Sequence, residues 1–66
     1  MKIKYFSDTD TALFEFSEQA VEETRQISEN VYADLDAAGN LVSMTVEHAG
    51  QQANLPEVLV EQVKSA

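Results

Sequence analysis

VYADLDAAGNLVSMTVE, residues 31–47, is the stretch whose reading decides the fold. Val31, Ala33 and Leu35 alternate with Tyr32 and Asp34. Val42, Met44 and Val46 alternate with Leu41, Ser43, Thr45 and Glu47. A side-chain period of two marks a strand with one buried face. Asp36-Ala37-Ala38-Gly39-Asn40 between them has the length and the glycine for a type I turn closed by a residue at positive φ. Gly39 supplies that φ at no steric cost. The spacing therefore predicts a β-hairpin.

Upstream, residues 2–6 (KIKYF) put Ile3 and Tyr5 on one face, and residues 12–17 (ALFEFS) do the same with Ala12, Phe14 and Phe16. Ser7-Asp8-Thr9-Asp10 joins them with side chains that bond locally to backbone, which predicts a second hairpin. Residues 18–30 admit two readings. Ala20, Val21, Thr24 and Ile27 fit a helix, but Val21, Glu23, Arg25 and Ile27 alternate, and Thr24 and Ile27 favour a strand. We read a loop at 18–20 and a polar strand at 21–27, with Ser28-Glu29-Asn30 bending the chain.

Downstream, HAGQQA reads as a linker. Asn54 can cap a helix, with Pro56 in its first turn and Glu57 three residues after the cap. Leu55, Val58, Leu59 and Val63 follow helical spacing. Strands first and a helix last predict an α+β fold: an antiparallel four- to five-stranded β-meander with one C-terminal helix packed on a sheet face. A single domain, 1–66, divides into sheet 1–49, linker 50–54 and helix 55–65. The expected core joins Ile3, Tyr5, Ala12, Phe14, Phe16, Ile27, Val31, Ala33, Leu35, Val42, Met44 and Val46 to Val58, Leu59 and Val63 of the helix. Phe6, Leu13 and Leu41 fall on the opposite face and predict an apolar patch there.

Twelve acids stand against four bases in 66 residues, a net charge of −8. Phosphate contacts need clustered Lys and Arg, so nucleic acid and anionic membranes are poor partners. No apolar run nears the roughly 20 residues of a membrane helix. The N-terminus lacks a signal-peptide core, which makes the cytoplasm the expected compartment. Without cysteine, neither disulfides nor thiolate zinc can reinforce so small a core. Oligomerisation remains, and a homodimer is expected.

Met1-Lys2-Ile3-Lys4-Tyr5, an acidic turn and an aromatic strand ending Glu15-Phe16-Ser17 form one half of a larger pattern. Glu23-Thr24-Arg25, the run Val31 to Asp36, Gly39-Asn40-Leu41-Val42 and Glu47-His48-Ala49 form the other. Over residues 1–49 the chain resembles a small bacterial family, domain of unknown function 2283. The resemblance implies a compact antiparallel sheet; no activity is established for the family, so it implies none. Through members encoded beside small toxin-like proteins it also implies an antitoxin-like role. Ala38 replaces an acid common in the family, and Gly50 replaces a common serine.

Asp34-x-Asp36-x-x-Gly39 resembles the start of a calcium loop. Calcium takes roughly six to eight oxygens, and Ala38 and Thr45 stand where two ligands belong. Asp36 as a turn-former and Asp34 as a solvent-face residue explain the same pattern. Asp8 and Asp10 complete the candidate cation ligands, if the two turns share an edge. His48 is the one side chain that titrates near neutrality. Ser28, Ser43 and Thr45 are the hydroxyls available to it as nucleophiles, but none lies in a nucleophile motif. By parity with Val42, Met44 and Val46, His48 is expected to cap the edge of the core. Neither a catalytic residue nor a cofactor site is expected.

The reading favoured is a non-catalytic, acidic protein-interaction module, antitoxin-like, with Leu55, Val58, Leu59 and Val63 as its interface and a small basic protein as its partner. The alternative is a small-ligand or divalent-cation protein that uses the acidic turns.

Overall fold

A computed structural model describes residues 1–52. Five strands, β1 (Lys2–Phe6), β2 (Thr11–Glu15), β3 (Glu23–Ser28), β4 (Val31–Leu35) and β5 (Leu41–Glu47), are followed by one helical turn, α1 (Ala49–Gln52). Every pairing is antiparallel, in the order β1-β2-β5-β4-β3. The predicted hairpins 2–17 and 31–47 are present, and β4 and β5 have the predicted bounds.

The order is not a meander. β5 lies between β2 and β4, so β2 to β5, traced from the C-terminal end, form a Greek key. β5 carries Val42, Met44 and Val46 and takes the centre. β3 is exposed at all six positions and takes an edge. Residues 16–22 span the gap. β2 and β3 stand three strand spacings apart, about 14 Å, and seven extended residues reach roughly 23 Å. At one end of this connector Phe16 and Ser17 donate backbone N–H groups to Val42 O (2.8 and 3.2 Å). At the other end Glu22 donates to Leu35 O (2.8 Å).

Strand register defines the two faces. One carries the ranks Tyr5–Ala12–Val46–Val31 and Ile3–Phe14–Met44–Ala33. The other carries Lys2–Glu15–Ser43–Asp34–Thr24 and Lys4–Leu13–Thr45–Tyr32–Gln26. Among the described residues Ala12, Ala33, Val42 and Ala49 are the buried apolar ones, none of them larger than valine. Tyr5, Phe16 and Ile27 are exposed, contrary to the expected core. Ile27 sits at a register shift between Gln26 and Ser28, so it leaves the alternation that would have buried it. The predicted patch of Phe6, Leu13 and Leu41 is split. Phe6 shares a rank with Glu47 at one end of β5, Leu41 begins the other end, and Thr45 and Ser43 lie between.

Residues 49–52 form a helical turn where the sequence predicts linker. Its physical cause is a set of bonds from the β1–β2 turn, given below. The expected helix 55–65, with Leu55, Val58, Leu59 and Val63, lies outside the described residues.

Candidate functional site

The fold separates the acids that the sequence offers for cation binding. Asp8 and Asp10 lie in the β1–β2 connection, and Asp34 and Asp36 at the β4–β5 turn. Thr11 pairs with Glu47 at one end of β5, and Leu35 with Leu41 at the other. The two turns therefore sit at opposite ends of a seven-residue strand, about 20 Å apart. Among the described residues no three His, Asp or Glu side chains come together to hold a metal ion.

Asp36 builds its own turn. Its Oδ1 accepts from Ala38 N (3.0 Å) and Asn40 N (2.8 Å). The backbone closes around it through Asp36 N to Asn40 O (2.9 Å) and Gly39 N to Asp36 O (3.0 Å). Gly39 has a φ of +86°, as the turn requires. Asp34 lies on the polar face and accepts two hydroxyls, Thr24 Oγ1 and Ser43 Oγ, each at 2.6 Å. Ser43 is only 8% exposed, so Asp34 supplies the acceptor that its hydroxyl would otherwise lack.

The third acid does something the sequence reading missed. Asp10 has a φ of +54°. Its backbone O accepts from Ala49 N (2.9 Å), and its Oδ1 from Gly50 N (2.9 Å) and from the Tyr5 hydroxyl (2.5 Å). The Tyr5 hydroxyl and the Gly50 amide hold the Asp10 carboxyl below its usual range, helped by the charge of His48. The same bond pushes the Tyr5 phenol up. Two residues predicted as cation ligand and linker are thus bonding partners. Only Gly50, a glycine in a polar stretch, hints at this in the sequence.

His48 is exposed and also has a φ of +54°. It follows the last residue of β5, and this left-handed residue ends both the strand and its alternation. His48 therefore does not cap the core edge as parity predicts. The Ser43 hydroxyl, one of its candidate partners, is committed to Asp34.

Elsewhere the surface carries ordinary pairs. Lys4 Nζ lies 3.3 Å from Glu15 Oε1, and Arg25 pairs with Glu23. The guanidinium holds the Glu23 carboxyl below its usual range. Two open grooves of about 280 Å³ flank the connector 16–22. One is lined by Met1, Lys2, Glu15, Phe16, Ser17 and Glu18, and the other by Gln19, Ala20, Glu22, Asp36, Ala37 and Ala38.

Among known proteins, the family model described as Protein of unknown function (DUF2283) matches residues 2–49, the sheet and the start of α1. No curated protein and no solved structure matches the chain.

Proposed function

The chain belongs to the family described as Protein of unknown function (DUF2283), and on that premise we propose that it is a non-catalytic protein-interaction module that works as a homodimer. One observation carries the reading. Among the described residues no large side chain is fully buried, although Ile3, Phe14, Met44, Val46 and Val31 share one sheet face. A single sheet needs a second layer over such a face. We assign that layer to the predicted helix 55–65, packed through Leu55, Val58, Leu59 and Val63 on its own sheet or on that of a second subunit.

The edges support association through faces. β1 carries Lys2 and Lys4, and β3 carries Glu23, Arg25 and a bulge. Edge charges and bulges discourage strand addition. The net charge of −8 suits a small basic partner, and an antitoxin-like role in the cytoplasm is the sharpest form of the proposal. Among the described residues no helix is long and apolar enough to cross a membrane.

Sedimentation velocity on the full chain tests the first part. A dimer at micromolar concentration supports it, and a monomer throughout the range removes the homodimer. Capture from the chain's own cells tests the second, since one basic protein should be recovered in equal amount. Recovery of the chain alone sinks the antitoxin-like form. The cation reading loses its main support because the two acidic turns are apart.

A further inference from the structure

One corner of the sheet is tied together by residues far apart in sequence. The β1–β2 turn meets the end of β5 there, and both Asp10 and His48 are left-handed, each with a φ of +54°. Asp10 receives the amide of Ala49 on its backbone oxygen and that of Gly50 on its carboxylate, both at 2.9 Å. Turn formation calls for neither bond, because both reach about forty residues along the chain. The fit is close. A Cβ on Gly50 would lie 2.9 Å from Asp10 Oδ1, the oxygen that accepts the Gly50 amide. Ala49 is 1% exposed, and α1 packs against β2. Tyr5, from β1, holds the same carboxylate oxygen from another direction.

We propose that Asp10 is a carboxylate latch that fastens Gly50 to the β1–β2 turn, and that neutralising this carboxylate releases the Gly50 amide while the sheet persists. The geometry supports this because the sheet hydrogen bonds do not pass through the Asp10 carboxylate, whereas the Gly50 bond does; the Ala49 bond ends on the Asp10 backbone oxygen and does not depend on the charge. Two titratable groups act on Asp10: Tyr5 from β1 and His48 after β5. Asp8 on the same turn and Glu47, which pairs in register with Thr11, are the other acids at this corner. A positive His48 and a protonated Tyr5 both favour the ionised, closed form. The latch does not depend on the interaction role proposed above.

Amide NMR on the full chain tests it. In the unaltered protein the Gly50 amide proton should shift with one carboxylate titration, centred below the usual Asp range. Asp10→Gly keeps the left-handed backbone but deletes the acceptor. At neutral pH it should speed exchange at Gly50 on the order of tenfold or more, with β2 and β5 amides unchanged. Asp10→Asn is neutral at every pH, so it should abolish the titration and lower Gly50 protection toward that of Asp10→Gly. A Gly50 amide that does not titrate in the unaltered protein overturns the latch. So does Asp10→Gly with unaltered Gly50 protection.

Discussion

At the scale of the residue, three aspartates that look interchangeable in the sequence have three different tasks. Asp36 satisfies two turn amides, so Asp36→Ala leaves both without their acceptor. The cost should be about 1–2 kcal/mol, read from the urea midpoint; an unchanged midpoint would show that water replaces the carboxylate fully. Gly39→Ala meets nothing within 4 Å, so its cost is backbone alone, on the order of 1 kcal/mol. Asp34→Ala strips the acceptor from a nearly buried serine. Asp34→Ala combined with Ser43→Ala should therefore cost less than the sum of the two single changes. Strict additivity in that cycle would mean that the 2.6 Å bond contributes no coupling. Asp10 adds a pH dependence. Its folded pKa is depressed, so its contribution is present above the ordinary carboxylate range and is lost as pH falls through the lowered value. Tyr5 works in the opposite sense: its raised pKa keeps the donor in place through its ordinary range near pH 10. Asp10→Asn should flatten the acid limb of the stability profile. An unchanged limb would place the acid sensitivity on another carboxylate.

At the scale of the element, position in the sheet overrides side-chain character. Ile27 is apolar and β-branched, yet it stands on the bulge of an edge strand and is 62% exposed. Ile27→Thr should change stability by no more than about 0.5 kcal/mol. A loss as large as a core truncation would mean that β3 is covered in solution. Ala12 is the opposite case. It is small and unremarkable in the sequence, but it is fully buried between Tyr5 and Val46 in register. Ala12→Leu overpacks that site and should cost about 1–3 kcal/mol, with a lowered thermal midpoint as the readout. A neutral result would show that α1 yields readily at this corner. The strands at 31–35 and 41–47 were legible because alternation and turn chemistry agreed. The turn 49–52 was not, because its cause is an aspartate some forty residues upstream.

At the scale of the whole molecule, the consequence of strand order is chemical. Placing β5 in the centre puts the two acidic turns at opposite ends of it. Calcium, magnesium or manganese should therefore leave the thermal midpoint where it is. A metal-dependent rise lost in the double variant Asp34→Asn, Asp36→Asn would restore the cation-binding reading. The same order leaves one face rich in half-buried apolar residues and gives both edges charged strands. Association should therefore involve that face. Phe14→Ser should weaken any dimer seen by sedimentation far more than Thr24→Ser on the polar face. Equal effects would move the interface elsewhere.

By itself the sequence determined the two hairpins 2–17 and 31–47, the 36–40 turn, the lack of disulfides and the acidic character. All of these depend on neighbours within a few residues or on composition. Only the tertiary structure decided which strand is central, which apolar residues are exposed, and what Asp10 and His48 do. Those outcomes depend on pairings between distant segments. Local alternation assigns a face to a side chain but not a neighbour to a strand. A seven-residue connector is long enough to skip two strands, and one left-handed residue after β5 turns out to solvent a histidine expected to cap the edge of the core.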